Sequence, residues 1–275
     1  MNYRELEPRP ELAPFVKCYW VLEASKHGGA GRTSDDLERV YPDGCPELIF
    51  HRGDRFHLVR NGSSERQSRA LVFGQLERRI ELRRPPRVET IGVRLRHAGL
   101  KPLLRIDAYA ITGTWRPLAE VAGTWGAELE AAALAAPDCD EAVRGIEEAL
   151  RARLPAARAQ RSAAVDAAIE SLTRSGGHAR IEEVARHAGV GTRQLERLFR
   201  AHVGLTPKRL AGILRLQEAF ALLAAGASPP LIEVAQRCGY FDQSHFIRDF
   251  RRVTGLPPSR FLGDDGVMAR LFVVS

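Results

Sequence analysis

The sequence predicts an α+β protein with a β-rich N-terminal domain that carries helices and an all-α C-terminal domain. Short apolar runs separated by turn residues fill most of the first hundred positions, which favours a small antiparallel barrel or sandwich. From about Leu118 the chain becomes rich in Ala and Glu, which predicts helices over 118–135 and 138–153. Further along, Gly and Pro residues separate amphipathic segments, which indicates a series of short helices.

The β-rich assignment depends on four short apolar runs, ELIF (47–50), FHLV (56–59), ALVFGQL (70–76) and VETIGVRL (88–95). Turn signals such as Pro42-Asp43-Gly44 and Pro85-Pro86 separate these runs. At the other end of the region, Leu154-Pro155-Ala156 is the predicted linker. We therefore expect an N-terminal sensing or dimerisation domain over 1–155 and a helical domain over 156–275.

Length and composition narrow the class of protein. A chain of 275 residues is long enough for two domains, and its 44% hydrophobic content allows each to bury a core. There is no apolar run of membrane-spanning length, and the first residues do not resemble a secretory signal. The four cysteines are scattered without a CxxC pair, which favours a reducing cytoplasm and predicts neither a disulfide framework nor a metal site.

The positive charge is concentrated in the C-terminal part. Residues 156–275 hold 17 Lys and Arg against 11 Asp and Glu, whereas residues 1–155 hold 24 against 23. Such an excess suits a polyanionic partner, because neutralised phosphates release condensed counterions. A merely basic, soluble surface is the alternative that charge alone leaves open.

An internal repeat is the strongest feature of the sequence. The segment 181–210 matches 231–261, at an offset of 50 in its first part and 51 in its second, so the second copy has a turn longer by one residue. The spacing predicts two helix-turn-helix units, unit 1 over 181–203 and unit 2 over 231–253, joined by a linker helix over 207–225. Gly189 and Gly239 fall in the two turns, and apolar residues four apart, such as Leu195 and Phe199, would pack each second helix onto the first.

The opposite face of each second helix carries side chains that can read base edges in a major groove. In unit 1 these are Arg193, Glu196, Arg197 and Arg200, and in unit 2 they are Gln243, Ser244, Ile247, Arg248 and Arg251. Thr192 at a helix N-terminus, with Lys208 and Arg209 at the start of the linker helix, are candidates for phosphate contacts. Each face taken alone is equally typical of a solvated surface. Two matched copies on a rigid linker favour a grip on double-stranded DNA, with recognition helices about one turn (~34 Å) apart.

The repeat resembles the DNA-binding domain of the AraC/XylS family of transcription regulators over residues 162–262. The resemblance is carried by the motifs A-x-x-A-G (185–189), L-x-R-x-F (195–199), G-x-T-P (204–207), A-x-x-C-G-Y-x-D-Q-S-H-F-x-R-x-F (235–250) and G-x-P-P (255–258). It implies seven helices, with one recognition helix per unit entering adjacent major grooves. Gly191 departs from the family, since many members have serine there, and Glu196 is an acidic residue at a reading position.

The N-terminal half resembles, more weakly, a domain of unassigned function found on some of these regulators, through YPDGCPELIF (41–50) and IGVRLRHAGL (91–100). A β-rich barrel offers an interior for a small-molecule effector. The aromatic residues Trp20, Tyr41, Phe50, Phe56 and Phe73 are candidates for its lining, although aromatics at strand spacing are also typical of a core. Cys45, His51 and His57 lack compact ligand spacing, so no metal and no cofactor are predicted.

The leading hypothesis is therefore a sequence-specific, AraC-type transcription regulator and not an enzyme. Its partners would be duplex DNA, a small-molecule effector, a second copy of the chain, and RNA polymerase if it activates, with no membrane. One alternative is a DNA-associated enzyme or a cysteine-based redox sensor with the helical half as an accessory domain. Against an enzyme, GxSxG, HExxH, GxGxxG and a phosphate loop are missing from the sequence. Another alternative is an N-terminal half that only dimerises.

Overall fold

A computed structural model describes residues 2–25, 37–224 and 229–261 of the chain. The strands are β1 Asn2–Leu6, β2 Val16–Ser25, β3 Leu37–Val40, β4 Glu47–His51, β5 His57–Arg60, β6 Ser63–Arg66, β7 Ala70–Phe73, β8 Ile80–Arg83, β9 Arg87–Leu95 and β10 Trp115–Pro117. The helices are α1 Leu100–Leu104, α2 Leu118–Ala135, α3 Cys139–Ala152, α4 Leu154–Ala159, α5 Ala163–Arg174, α6 Ile181–His187, α7 Thr192–His202, α8 Pro207–Ala224, α9 Leu231–Arg237, α10 Gln243–Thr254 and α11 Pro258–Phe261. A short 3₁₀ helix spans Ala108–Ile111.

The N-terminal region is an antiparallel sandwich. A six-stranded sheet has the order β1-β2-β9-β4-β7-β10, and a four-stranded sheet has the order β3-β8-β5-β6. The four apolar runs of the sequence form β4, β5, β7 and β9, which confirms the β-rich prediction. Strands β1 and β2 and the short strands β3, β6, β8 and β10 were not predicted individually. The short strands have only three or four residues each, too few to show a period.

Alternation along the strands divides the sandwich into two cores. Trp20 and Leu22 on β2 share a hydrophobic cluster with Leu58 and Leu82 of the four-stranded sheet. Tyr19 and the other β2 residues that point away from this cluster lie in a second one, together with α1 to α4. Because successive side chains of a strand face opposite sides, the six-stranded sheet is the middle layer between the small sheet and these helices.

The predicted linker at 154–156 is a helix. Pro155 occupies the first turn of α4, where its missing N–H costs no hydrogen bond. Leu154 and Ala157 are buried in the core that lies beneath the six-stranded sheet. The sequence predicted a linker here because proline often interrupts a helix, but a proline in the first turn of a helix is compatible with helical structure.

The C-terminal region contains the two predicted helix-turn-helix units, α6–α7 and α9–α10, joined by the long helix α8. The helices of unit 1 pack around a mainly aliphatic core that includes Val184, Leu195 and Leu210. Unit 2 is closed by an aromatic cluster that includes Phe246 and Phe250. This confirms the fold class that the repeat predicted. The segment 262–275 and the last predicted linker residue, Ala225, lie outside the described residues.

Candidate nucleic-acid interface

The turns of the two units have the same backbone geometry. Gly189 has a φ of +70° and Gly239 a φ of +67°, a left-handed conformation that glycine adopts without a steric penalty. In each unit the residue after the glycine closes the first helix by donating to the carbonyl five residues back, a Schellman motif. These bonds are Val190 N to Ala185 O, 3.1 Å, and Tyr240 N to Ala235 O, 2.9 Å. The shared glycine therefore fixes the direction in which each recognition helix leaves its turn.

Helix α7 of unit 1 has one buried face and one charged face. Leu195 and Phe199 are completely buried against α5 and α6. Arg193, Glu196 and Arg197 lie on the other face and are exposed to solvent. The side chains that the sequence assigned to base reading are therefore brought together on one accessible surface of α7.

Two of the proposed DNA-contacting cations of this region also touch the N-terminal domain. The guanidinium of Arg200 lies 5.7 Å from the ring centroid of Tyr109, within the range of a cation–π contact. The Nε of Arg209 lies 2.9 Å from Oε1 of Glu77 in an ion pair. Thr192 and Lys208, by contrast, are exposed at the starts of α7 and α8. Contacts of Arg200 and Arg209 with DNA would have to compete with these intramolecular partners.

The predicted reading face of helix α10 in unit 2 contains both exposed and half-buried side chains. Ser244, Arg248 and Arg251 are exposed on one face. Gln243 is half-buried, and Ile247 is half-buried against the aromatic cluster of unit 2. The accessible part of this face is therefore centred on Ser244, Arg248 and Arg251.

The starts of the two recognition helices differ in capping. In unit 2, Oδ1 of Asp242 accepts a hydrogen bond of 2.7 Å from the backbone N–H of His245. In unit 1 the capping position is Gly191, which offers no side-chain acceptor. The first amides of α7 are thus available to an anion such as a phosphate, since the N-terminus of a helix carries partial positive charge.

Phe241 is a surface feature that the sequence analysis missed. Its side chain is 93% exposed and directly precedes Asp242, the capping residue of α10. It occupies the turn that is one residue longer than the turn of unit 1, so the change of offset in the repeat was the available signal. Because Phe241 lies on the surface of unit 2 directly before the start of α10, it is a candidate contact residue.

The five aromatic pocket candidates do not line one cavity. Phe56 lies in the core between the sheets, and Phe50 lies in the core on the opposite face of the six-stranded sheet. Trp20, Tyr41 and Phe73 do line a common cavity, but its volume is only about 50 Å³. Since ligand sites typically have volumes of roughly 300–1,000 Å³, this space is too small for a metabolite.

A larger cleft of about 930 Å³ lies where the N-terminal domain meets α5 and α8. We call it the seam cleft. Its walls carry the cations Lys17, Arg96, Arg161 and Arg174, along with acidic side chains such as Asp166. Its volume is within the range of roughly 300–1,000 Å³ typical of ligand sites.

A buried ionic network lies beside the small cavity. Arg94 is completely buried, and its Nε lies 3.0 Å from Oε1 of Glu47 and 3.5 Å from Oδ2 of Asp43. Burial by itself lowers the pKa of Arg94, but the carboxylates of Glu47 and Asp43 outweigh it and raise that pKa. The guanidinium therefore stays charged and holds both acidic side chains, since a buried ion is stable only when its partners are close.

The histidine and cysteine residues discussed above lie in surroundings that disfavour a reactive or metal-binding role. His51 is held by hydrogen bonds to Thr90 and Gln67, and burial lowers its pKa to about 4. Burial raises the pKa of the Cys18 thiol to about 12 and that of Cys45 still further. Both thiols are therefore protonated and poorly nucleophilic, which counts against a cysteine sensor. Within the same residues, His, Cys, Asp and Glu form no group of three or more suited to a metal ion.

Comparison with known proteins matches the two halves of the chain separately. Residues 184–264 match a helix-turn-helix domain family, and residues 4–115 match a domain of unknown function, DUF6597. The chain is 40% identical over 78 residues to the transcriptional regulator GbdR of Pseudomonas aeruginosa, a match that covers 28% of this chain and 21% of that protein. It is 41% identical over 71 residues to the transcriptional activator RhaS of Salmonella arizonae, covering 26% of this chain and 25% of RhaS.

Among solved structures, a probable AraC family regulator from Rhodopseudomonas palustris is 31% identical, covers 36% of this chain and 94% of that one, and gives a TM-score of 0.34. The C-terminal region of this chain belongs to the AraC family. ToxT of Vibrio cholerae, solved with an unsaturated fatty acid, is 11% identical over 82% of this chain and 93% of its own, with a TM-score of 0.42.

The matches to these curated relatives span only about a quarter or less of the relatives' own length. By name, GbdR is a transcriptional regulator and RhaS a transcriptional activator. Within the described residues, no helix combines the length and apolar character that crossing a membrane requires.

Proposed function

We propose that this protein is a sequence-specific DNA-binding transcription regulator that inserts α7 and α10 into adjacent major grooves. The observation that carries the proposal is the pair of AraC-type units, each presenting exposed polar and cationic side chains opposite a buried face. Arg197 and Arg248 occupy corresponding positions in the two units and are the strongest candidates for contacts to guanine. Such a protein would act in the cytoplasm, alone or as a dimer, and would contact RNA polymerase if it activates.

The test is selection of bound sequences from random duplex DNA with the full chain, followed by titration of the selected duplex over a range of salt concentrations. We expect a site with two half-sites, each recognised by one unit, and an affinity that falls steeply with salt because several phosphates are neutralised. Failure to enrich any sequence, with binding that stays independent of sequence, would contradict the proposal.

A small molecule would control this activity from the N-terminal domain. The interior cavity of about 50 Å³ does not accommodate one, whereas the seam cleft of about 930 Å³ has a suitable volume. Its lining is of mixed charge, since Arg161 and Arg174 form ion pairs with Asp166 and Glu170. An organic anion is the ligand class we propose, since four cationic side chains line the cleft against three carboxylates. A thermal-shift screen against carboxylates and phosphates, together with a sedimentation measurement of mass, separates sensing from an N-terminal domain that only assembles dimers.

A further inference from the structure

The loop Tyr41-Pro42-Asp43-Gly44-Cys45-Pro46 connects the two sheets of the sandwich, and we call it the 41–46 loop. Its first residue belongs to neither hydrophobic cluster of the sandwich. Tyr41 is completely buried in the aromatic cluster of unit 2, with its ring centroid 5.5 Å from that of Phe220 and 5.3 Å from that of Phe261. The N-terminal domain thus supplies part of the hydrophobic core of the second DNA-binding unit.

The same loop continues along the linker helix α8 toward unit 1. Nε2 of Gln217 donates a hydrogen bond of 2.7 Å to the backbone carbonyl of Pro42. Gly44, with a φ of +79°, approaches Leu210 so closely that a β-carbon there would lie 3.1 Å from a methyl carbon of Leu210. Leu210 belongs to the cluster of unit 1. The loop therefore follows roughly 15 Å of α8, from the core of one unit to the core of the other.

The sandwich holds this loop in one conformation. The carbonyl of Gly44 accepts hydrogen bonds from Nε2 of Gln75, at 2.7 Å, and from Nδ1 of His97, at 2.6 Å. The side chain of Asp43 lies in the ionic network of the buried Arg94. Because these partners come from β9 and from residues next to β7 and β9, the loop moves with the sandwich and not with α8 alone.

We propose that the 41–46 loop is a positioning element of the DNA-reading surface, which fixes the orientation of the recognition helices relative to each other by bracing the helix that joins them. The inference rests on the proposed function. Binding of the second unit is intramolecular once the first is bound, and its contribution depends on geometry that allows both to engage. The loop therefore sets the preferred spacing between half-sites.

The loop also connects this spacing to the seam cleft. Asp43, Cys45 and Gln217 line the cleft, and the first two belong to the loop. A molecule bound in the cleft would lie against the loop and its hydrogen-bonded partner on α8. This contact gives an effector a direct route to the relative orientation of the recognition helices.

The test compares Tyr41→Ala with the wild-type chain on three duplexes: the selected site, the site with the half-site of unit 2 scrambled, and the site with its halves moved apart by one base pair. We expect Tyr41→Ala to bind the intact site roughly tenfold more weakly, to bind the single half-site as the wild type does, and to lose the preference for the original spacing. Tyr41→Phe, which keeps the ring, should restore the preference. Gln217→Ala removes one half-buried hydrogen bond and should weaken binding to the intact site about threefold, with the same loss of spacing preference. This second variant tests the proposal if Tyr41→Ala fails to fold.

Cys238→Ala is the matched control, because Cys238 is completely buried in the same aromatic cluster but lies on unit 2 after α9. It should bind the half-site of unit 1 as the wild type does and keep the preference for the original spacing, because it perturbs the core of unit 2 and leaves the loop in place. A Tyr41→Ala or Gln217→Ala chain that retains the wild-type spacing preference, or that weakens all duplexes equally, overturns the positioning role. If the wild-type chain itself selects no sequence, the proposed function fails and the positioning role fails with it.

Discussion

The two helix-turn-helix units share a backbone and differ in nearly everything that packs around it. Unit 1 has a mainly aliphatic core, an uncapped recognition helix and a short turn. Unit 2 has an aromatic core that includes Tyr41 from the sandwich, a recognition helix capped by Asp242 and a turn that holds the exposed Phe241. The two copies therefore share the turn geometry that orients each recognition helix. They differ in the residues that stabilise each unit and in the contacts that attach it to the N-terminal domain.

The largest expected effect concerns the two cores. Phe250→Ala removes a ring whose centroid lies 5.3 Å from that of Phe261 and 5.5 Å from those of Phe220 and Phe246. We expect it to lower the free energy of unfolding by about 3–5 kcal/mol, measured by urea denaturation. Phe199→Ala should fall at the lower end of this range, because aliphatic neighbours collapse into a cavity more readily.

Phe241→Ala is the control for this measurement, since that ring is already in water and its loss should change stability by no more than about 0.5 kcal/mol. If Phe199→Ala lowered the free energy of unfolding by more than Phe250→Ala does, the inferred difference between the two cores would be wrong.

The next effect concerns the reading faces. Arg197→Ala and Arg248→Ala should each weaken binding to the selected duplex by about 1–3 kcal/mol and relax specificity at one base pair, in different half-sites. Titration against all single-base-pair variants of the site measures both quantities. Arg174→Ala, an exposed arginine on α5 that pairs with Glu170, is the control and should leave specificity unchanged. Relaxation at the same base pair in both variants would contradict the assignment of one half-site to each unit.

Substitutions at the N-terminal capping positions of α10 and α7 should change stability by smaller amounts and in opposite directions. Asp242→Ala removes the hydrogen bond to the amide of His245 and should cost about 0.5–2 kcal/mol of stability. Gly191→Asp supplies the missing acceptor at a position where a β-carbon would have no neighbouring atom within 4 Å, and should gain a few tenths of a kcal/mol. The same substitution adds negative charge at a phosphate site, so it should weaken DNA binding. Stability gained together with unchanged DNA affinity would argue against a phosphate at the start of α7.

The extra residue of unit 2 offers an apolar contact. We expect Phe241→Ala to weaken DNA binding by about 1 kcal/mol, the value of burying roughly half of a phenylalanine ring. Because no charge is lost, the dependence of the affinity on salt should not change. Lys208→Ala provides the contrast, since removing one phosphate contact lowers the slope of log K against log salt by about 0.9. A Phe241→Ala chain with wild-type affinity for every duplex would remove this residue from the interface.

The smallest effect depends on pH. Burial lowers the pKa of His202, and the nearby Lys101 adds to that shift. The folded chain therefore binds a proton at His202 less readily than the unfolded chain does, so stability falls as the pH decreases below about 6.5. The corresponding residue of unit 2 is Val253, which cannot titrate. His202→Gln should flatten the decline in stability measured between about pH 7.5 and pH 5.5, and an unchanged decline would show that other groups cause it.

Much of the DNA-binding half could be predicted from the sequence because its signals are local. The glycines of the turns, the buried pairs such as Leu195 and Phe199, and the exposed arginines between them are all encoded within a few residues of one another. The partners of Arg200 and Arg209 could not be predicted, since Tyr109 and Glu77 are more than 90 residues away along the chain. The partial burial of Gln243 and Ile247 was missed for the same reason.

The sequence by itself determined the repeated two-helix unit, the division into a β-rich and a helical part, and the chemistry of the reading faces, because periodicity and turn residues act over short distances. Only the tertiary structure decided that Tyr41 belongs to the core of unit 2, that Phe50 and Phe56 lie in different cores, and that 154–156 continues as helix. Each of these outcomes depends on which distant surface is available to bury a side chain, and that information appears only when the sheets and helices are packed together.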